Sequence, residues 1–369
     1  MKKILIIVES PVKAVKIQSF LGDKYKVIAS YGHIADLAKG GTNSIGVDTD
    51  REFKTKYVLL QDKVAVLTEI LNEAINSSLI LIASDGDREG EAIAWHIKSR
   101  LGGITAPIKR IVFNEIKKST VLKAIKNPRD IDLNIFNAQE TRRVLDRIVG
   151  FMASPFLMST MGPNLSAGRV QSVVTKMIVE QEKLISAFVP EDFWNLFVDL
   201  KLQDGSVFNA KVDVRPTTED DAKEIYQKIT KSKNNVVSDV KSKVEYIEAP
   251  APMVTSTLQR MMSKKYGMSA DRTMKAAQSL YEQGYCTYIR TDSVRSSDES
   301  IDEAREYLKN NNFSVSKTVN TFSNKNISQD AHECIRPSDI NVSPVTSMLT
   351  DPDQKMVYEI IYRYFIFTG

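Results

Sequence analysis

Two short runs of consecutive apolar residues constrain the fold of this chain more than any other feature. They are Ile4 to Val8 and Leu79 to Ala83, and both are rich in branched side chains. Strands that are buried on both faces of a parallel sheet have this composition. Apolar residues among 64–74, between the two runs, have helical spacing. We also expect a helix from Glu91 towards Arg100 and a further strand from Ile111 to Phe113. This pattern predicts a doubly wound α/β domain of about 125 residues.

The pattern changes after this domain. Residues 137–183 have helical spacing, with one helix expected to end near Gly150 and another to begin near Arg169. Residues 193–214 then indicate a β-hairpin that turns at Asp204-Gly205. A proline-containing linker follows, and the last part of the chain is mainly helical. The domain boundaries that we predict are 1–125 for the α/β domain, 126–185 for a helical domain, 186–249 for a β-rich part and 250–369 for a second, mainly helical domain.

The composition excludes some classes of protein. The 369 residues carry a formal net charge of +4, which permits a polyanionic partner without indicating one. Cys286 and Cys334 form no CxxC pair, so neither a zinc ribbon nor a disulfide framework is expected in this chain. No apolar stretch approaches the roughly 20 residues of a membrane helix, and the first run is too short for a secretion signal. We therefore expect a soluble protein of a reducing, intracellular compartment.

An acidic segment follows the second apolar run. Asp85, Asp87 and Glu89 are spaced so that, in an extended chain, their side chains would project towards one side. Open α/β sheets place ligands at the ends of such strands, and Mg²⁺ takes one or two carboxylates together with several waters. The alternative is a solvated acidic loop that caps the next helix, because carboxylates favour helix N-termini.

A second acidic residue ends the first apolar run. Glu9 follows Val8 directly, and Lys13 comes four residues later. If both strands belong to one parallel sheet, Glu9 and the acidic segment lie at the same edge. A carboxylate and an ammonium beside a metal are suited to binding a phosphate. The alternative is a helix cap followed by an ordinary surface lysine.

The order of motifs along the chain resembles that of bacterial type IA DNA topoisomerases. Residues 8–13 and 85–96 are similar to the Toprim domain of that family. The other segments that carry the resemblance follow in order and are 31–33, 113–116, 138–150, 165–172, 252–259, 288–293 and 329–337. Several of these motifs are weak alone, but their order over nearly 330 residues is very specific. The resemblance implies a Toprim domain, a helical DNA-binding domain, part of a β-arch and a mainly helical domain that bears the active-site tyrosine.

The resemblance also implies catalytic roles. Tyr288 would be the nucleophile, with Tyr285 as the competing tyrosine. A phenol with a pKa near 10 needs neighbouring positive charge, and Arg290 would lie on the same side of an extended segment. Arg290 and Lys13 would stabilise the phosphate in the transition state, and Glu9 would exchange a proton with the leaving 3′-oxygen.

Metal and DNA contacts follow from the same resemblance. Mg²⁺ would be held by Glu9, Asp85, Asp87 and Glu89. Arg143 and Arg147 are one helical turn apart, and their face would bind phosphates without reading sequence, unless it is only a solvated helix face. His332 would contact DNA near the scissile phosphate, unless it is a core histidine. The complete set of expected DNA contacts is Arg142, Arg143, Arg147, Arg169, Gln171, Asp292, His332 and Arg336.

The activity implied is ATP-independent relaxation of negatively supercoiled DNA by a cytoplasmic, nucleoid-associated monomer that needs no nucleotide. Tyr288 would cut a single-stranded stretch through a 5′-phosphotyrosyl intermediate, and a second strand would pass before religation. The chain ends at Gly369, before the return segments of the family's ring of domains, so we expect an incomplete toroid and weak relaxation. The alternatives are a Toprim nuclease, which would not need Tyr288, and a non-catalytic single-strand-binding remnant.

Overall fold

The computed structural model describes residues 2–39, 45–232, 236–245, 249–316, 318, 322 and 332–368. The chain divides into two compact units. The first contains Met1–Ser166 and Glu248–Gly369, and the second contains Ala167–Ile247. The four predicted domains stay a prediction.

A four-stranded parallel sheet forms the centre of the first unit. Its strands are β1 (Lys3–Val8), β2 (Tyr25–Ala29), β7 (Ser77–Ile82) and β8 (Ile108–Arg110), in the spatial order β2-β1-β7-β8. The two apolar runs are therefore adjacent strands, with Ile7 opposite Ile82. Because they are parallel, their carboxyl ends lie at the same edge of the sheet, as predicted.

Helices cover both faces of this sheet. The other elements in this part of the chain are α1 (Pro11–Phe20), α2 (Val64–Ile75), α3 (Arg88–Arg100) and α4 (Lys118–Lys126), with the short strands β3 (Ala35–Leu37), β4 (Val47–Asp48), β5 (Lys54–Thr55) and β6 (Tyr57–Leu59). Ile6 and Val8 pack into one core cluster, whereas Leu5 and Ile7 pack into another. Each strand thus buries both faces, which is why its apolar run is continuous.

Five further helices belong to the first unit. They are α5 (Leu133–Met161), α8 (Thr255–Tyr266), α9 (Ala270–Gln283), α10 (Asp298–Asn310) and α11 (Pro352–Thr368). Buried residues of α8, α9 and α11 share one core cluster with β1 and α1. The tyrosine-bearing segment therefore packs against the sheet domain.

Two predicted elements differ from the structure. The fourth strand spans Ile108–Arg110 rather than residues 111–113, although the Ile111 N–H still donates to the Ile82 carbonyl at 3.0 Å and Ile111 and Phe113 stay buried. Helix α5 continues through Gly150 and Pro155 to Met161 instead of ending near Gly150. A single glycine costs a helix only about 1 kcal/mol, which is too little to end it.

The described residues of the second unit form two helices and a hairpin. Helix α6 (Arg169–Ala187) precedes β9 (Phe197–Lys201) and β10 (Val207–Lys211), and α7 (Glu219–Lys231) follows. The hairpin is antiparallel, and Gly205 in its turn has a positive φ, as the Asp-Gly signal predicted. None of the described helices in either unit is long and apolar enough to cross a membrane.

An aromatic cluster joins α3 to α5. Trp95 stacks on Phe136 with 4.2 Å between ring centroids, and His96 lies 4.4 Å from the ring of Tyr57. His96 is only 2% exposed. Burial, with a smaller effect of His33, lowers the pKa of His96 to about 4. The folded chain thus holds this imidazole neutral.

We expect the free energy of unfolding to fall as the pH is lowered from 6.5 towards 4. The unfolded chain takes up a proton on His96 near its ordinary pKa of 6.5, whereas the folded chain does so only near 4. The loss should reach about 3 kcal/mol. Urea unfolding of the wild type and of His96→Phe across this pH range measures it. The variant should lose this part of the pH dependence, and an unchanged slope would contradict the assignment.

Candidate active site

The carboxyl ends of β1 and β7 bring three charged side chains together. Lys13, in the first turns of α1, places its Nζ 2.6 Å from Oδ1 of Asp85. Glu9 accepts a hydrogen bond of 2.8 Å from the backbone N–H of Asp85. Lys13 is 1% exposed and Asp85 8% exposed, so the pair is buried. The structure thus brings Glu9, Lys13 and Asp85 together at the edge of the sheet where the sequence placed Glu9 and the acidic segment.

The loop that carries Asp85 is held by two further residues. Arg110 is fully buried and donates from Nη2 to the Asp85 carbonyl at 2.6 Å, while its Nε lies 3.3 Å from Glu91. Gly90 lies so close to the loop that a Cβ on it would be 2.1 Å from the same carbonyl. A glycine is therefore required in this first turn of α3, because any side chain would push the Asp85 loop away.

Tyr288 meets the acidic segment at Asp87. The phenol donates a short hydrogen bond to Oδ2 of Asp87, whose other oxygen accepts 2.8 Å from the Gly90 N–H as the N-cap of α3. The backbone N–H of Tyr288 donates to the carbonyl of Asn114 at 2.8 Å. Tyr281 donates to Asp85 at 3.1 Å and packs edge-on against Tyr288. The hydroxyl is thus fixed beside a carboxylate.

The electrostatics of this site hold the proton on Tyr288. Burial, followed by the charges of Asp87 and Asp85, raises the pKa of Tyr288 well above its usual value, while Arg290 acts in the opposite direction. Burial, followed by Asp85, raises the pKa of Glu9 to about 7 against the effect of Lys13. Arg290 and Asp292 are both exposed. Residues 289 and 290 form bends, so the segment that joins Tyr288 to Arg290 is not the extended strand that was predicted.

The acidic triplet diverges. Glu89 lies in α3 and accepts from Gln139 at 3.0 Å, with His33 at 3.2 Å, whereas Asp85 and Asp87 face Lys13 and Tyr288. Among the residues that the structure describes, no three acidic, histidine or cysteine side chains form a metal site. The predicted convergence is wrong in its geometry, because the helix begins at Arg88 and turns Glu89 away from the other two.

The remaining carboxylates still fit Mg²⁺ in their chemistry. Asp85 and Asp87 both raise the pKa of Glu9 by charge repulsion, so three carboxylates lie within electrostatic reach of one another. A hard divalent cation relieves such repulsion, and Mg²⁺ needs only one or two carboxylates when phosphate and water complete its shell. Glu89 fits least well, because His33 and Gln139 already occupy its carboxylate.

The arginines of α5 lie on one face, as predicted, but are partly paired. Arg143 lies 2.6 Å and Arg147 3.5 Å from Asp36. Arg147 is buried, and Arg142 and Arg143 are exposed. Arg142, Arg143 and Gln139 line a polar cavity of about 350 Å³ beside Glu89. The Oε1 of Gln139, which is 5% exposed, has no hydrogen-bond partner among the described residues.

The other predicted DNA contacts are dispersed. Arg169 and Gln171 lie at the start of α6 in the second unit. His332 is buried, with its ring 5.9 Å from that of Tyr288. Arg336 is also buried, and it pairs with Glu115 at 3.1 Å and Glu333 at 2.7 Å. Its guanidinium is therefore occupied in this conformation. Residues 329–331 of the last motif lie outside the described residues.

Comparisons with known proteins identify the family. The DNA topoisomerase family model matches residues 130–368, and the Toprim domain model matches residues 4–116. The chain belongs to the bacterial type IA DNA topoisomerases. DNA topoisomerase 1 of Buchnera aphidicola subsp. Acyrthosiphon pisum is 41% identical over 99% of this chain and 46% of the relative. The Campylobacter jejuni protein is 40% identical over 99% and 54%, and the Escherichia coli K12 protein is 36% identical over 99% and 46%.

A solved structure agrees with this family. Full-length topoisomerase I from Thermotoga maritima is similar with a TM-score of 0.82 and 38% identity, covering 98% of this chain and 60% of that one. The chain thus spans about half the length of the curated relatives that it matches. The resemblance seen in the motif order, with its mixed α/β fold and Toprim domain, is confirmed.

Sequence reasoning missed three residues of this topoisomerase site. Tyr281 repeats with Ala277 at helical spacing, so it would be assigned to the core. Arg110 gives a weak signal, as a charged residue at the end of an apolar strand. Asn114 lies in a segment that carries the resemblance, but its carbonyl contact with Tyr288 gives no signal, because a backbone contact across 174 residues leaves no local pattern.

We expect a double-mutant cycle to show strong coupling between Lys13 and Asp85. Lys13→Met should cost about 3 kcal/mol of unfolding free energy, because it leaves a buried carboxylate without its cation. Asp85→Asn should cost less in the Lys13→Met background than in the wild type. Chemical denaturation of the four proteins measures the coupling. Additive effects within about 0.5 kcal/mol would show that the pair is not energetically linked.

Proposed function

We propose that this chain carries out the cleavage and rejoining steps of a type IA topoisomerase, with Tyr288 as the nucleophile. The observation that carries the proposal is the hydrogen bond from the Tyr288 phenol to Asp87, beside the buried Lys13–Asp85 pair and Glu9. A phenol held against a carboxylate has a base in place for the proton that it must lose. Family membership supports the same role, since the motif around Tyr288 matches that of the family's nucleophile.

Cleavage then balances as a transesterification. The Tyr288 oxygen bonds to phosphorus while the bond from phosphorus to the 3′-oxygen breaks. The tyrosine proton passes to Asp87, and Glu9, whose pKa is raised to about 7, supplies a proton to the leaving 3′-oxygen. Religation reverses both bond changes and both proton transfers. The phosphotyrosyl ester keeps the energy of the phosphodiester, so no nucleotide is consumed.

Positive charge would stabilise the phosphate during both steps. Lys13 is buried beside Asp85, and Arg290 is exposed but close enough to lower the pKa of Tyr288. Glu9, Asp85 and Asp87 would hold Mg²⁺, which when bound supplies positive charge that orients DNA for rejoining.

DNA would approach over the arginines of α5. Arg142 and Arg143 are exposed beside the polar cavity, and the unpaired Oε1 of Gln139 could accept a hydrogen bond from a nucleotide there. Arg169, Gln171 and Asp292 would add contacts outside this cavity. His332 would act near the scissile phosphate, since it lies beside Tyr288. The substrate would be a single-stranded stretch of negatively supercoiled DNA in the cytoplasm, bound by a monomer at the nucleoid.

The first prediction concerns the nucleophile. Wild-type protein mixed with a 3′-labelled single-stranded oligonucleotide and then denatured should carry the label covalently, because the 5′-phosphate side stays on the tyrosine. Tyr288→Phe should give no labelled protein. Tyr285→Phe is the matched control, because Tyr285 is the nearby tyrosine that contacts neither Asp85 nor Asp87, and it should label as the wild type does.

Two results would support the alternatives. DNA cutting that persists in Tyr288→Phe would indicate a Toprim nuclease. Oligonucleotide binding without any adduct in the wild type, in the presence or absence of Mg²⁺, would indicate a single-strand-binding protein.

The second prediction concerns Asp87. Asp87→Asn should slow adduct formation by roughly 100-fold or more, because an amide cannot take the tyrosine proton. The fold should survive, since asparagine caps a helix as well as aspartate does. Single-turnover cleavage measures the rate, and an electrophoretic shift measures DNA binding, which should be retained. Glu89→Gln, which alters a carboxylate that does not touch Tyr288, is the control. Cleavage by Asp87→Asn at the wild-type rate would remove Asp87 from the mechanism.

A further inference from the structure

Four consecutive residues of the Toprim domain each contact the tyrosine-bearing segment. The Asn114 carbonyl accepts from the Tyr288 N–H, Glu115 pairs with Arg336, and Lys117 pairs with Glu303 at 2.8 Å. The Ile116 carbonyl lies against Gly284, where an added Cβ would be only 2.8 Å away. We call residues 114–117 the seam segment, and the contact between it and the tyrosine-bearing segment the seam.

Arg336 has a partner on each side of this seam. Its Nη1 lies 3.1 Å from Oε2 of Glu115, on the Toprim side, and its Nη2 lies 2.7 Å from Oε2 of Glu333, on its own side. All three side chains are largely buried, at 5%, 12% and 14% exposure for Arg336, Glu115 and Glu333. The Arg336–Glu115 pair is more buried than the Lys117–Glu303 pair, which also joins the seam segment to the tyrosine-bearing segment and whose side chains are about one third exposed.

The backbone of Arg336 is hydrogen-bonded to Thr287, the residue next to Tyr288. The N–H of Thr287, the residue before Tyr288, donates to the Arg336 carbonyl at 2.9 Å, and the Thr287 hydroxyl donates to the Cys334 carbonyl at 2.7 Å. The Ser338 N–H donates to the Tyr285 carbonyl at 3.0 Å. Residues 285–288 and 334–338 therefore form one body. A change in the pairing of the Arg336 side chain acts on the position of Tyr288.

Each charge keeps a partner when the seam separates. Arg336 also donates two hydrogen bonds to one oxygen of Glu333, Oε2, from Nε at 2.9 Å and from Nη2 at 2.7 Å. Glu115 keeps the Thr120 hydroxyl, which donates to Oε1 at 2.9 Å. Opening therefore exposes no unpaired buried charge, which is the usual large cost of breaking a buried ion pair. The Arg336–Glu115 contact is therefore suited to repeated opening and closing.

We propose that Arg336 is a positioning residue and that Glu115 and Glu333 compete for it, so that their balance sets how readily the seam opens. The proposal rests on the proposed function, because a cut strand lets Tyr288 move away with its phosphate, whereas an intact strand bound across the site keeps the seam closed. The Arg336–Glu115 pair holds the 3′-hydroxyl and the phosphotyrosine together for religation. The Arg336–Glu333 pair lies on one side of the seam, so it persists in the open form and offsets part of the loss of Glu115.

The test uses two isosteric variants with opposite expected effects. Glu115→Gln weakens the pair across the seam, whereas Glu333→Gln leaves Glu115 as the only carboxylate beside Arg336. Hydrogen exchange of the Tyr288 amide, which donates across the seam, reports opening without DNA. It should become about tenfold faster in Glu115→Gln and slower than wild type in Glu333→Gln. Glu303→Gln, which breaks only the exposed pair, should change it less than about threefold.

The second measurement is the covalent fraction at steady state with a labelled oligonucleotide and Mg²⁺. Because opening adds states only on the cleaved side, this fraction should rise in Glu115→Gln and fall in Glu333→Gln. A merely structural Arg336 would speed exchange in both variants and lower the adduct in both, and that result overturns the proposal. Unchanged exchange in both variants also overturns it.

The two arms separate this proposal from the proposed function. Opposite exchange shifts with no adduct in the wild type would uphold the seam and reject cleavage through Tyr288. A normal wild-type adduct with exchange shifts of the same sign would uphold cleavage and reject the competition for Arg336.

Discussion

The buried pair between Lys13 and Asp85 is the interaction on which the rest of the site depends. Removing an ammonium and a carboxylate from water is costly, and this cost is offset only when their other hydrogen-bonding groups are satisfied. Here Tyr281 donates to the same carboxylate, Glu9 accepts from the Asp85 backbone and Arg110 binds its carbonyl. The ion pair and these hydrogen bonds thus join α1, α9 and the ends of β1, β7 and β8 beside Tyr288.

This arrangement has two opposite effects on Tyr288, the proposed nucleophile. Burial, followed by the acidic neighbours, keeps the proton on Tyr288, which in the proposed mechanism would protect the chain from reacting without a correctly bound phosphate. The same Asp87 that raises the pKa accepts the hydrogen bond, so the base is already in place. Positive charge from a bound metal and from Arg290 would shift this balance towards reaction. The proposed opening at the seam segment adds a mechanical requirement, because the two segments that meet for cleavage would also have to separate.

The sequence determined the fold class and several members of the candidate site. The continuous apolar runs could only be strands buried on both faces, and parallel pairing of such strands brings Glu9 and Asp85 to one edge whatever the loops do. The order of motifs indicated the family and selected Tyr288 over Tyr285. Local signals also located the hairpin turn and most helices, because these depend on spacing and on glycine within a few residues.

The tertiary structure alone decided the partners of each side chain. The spacing of Asp85, Asp87 and Glu89 suggested one convergent set, but the start of α3 at Arg88 sent Glu89 to His33 and Gln139. Arg336 belongs to a motif for which a DNA contact was expected, and only the structure shows that two carboxylates hold its side chain. Tyr281 and Asn114 gave no local signal, since their contacts join residues far apart in the chain. Such contacts follow from how elements pack, and packing leaves no periodicity in the sequence.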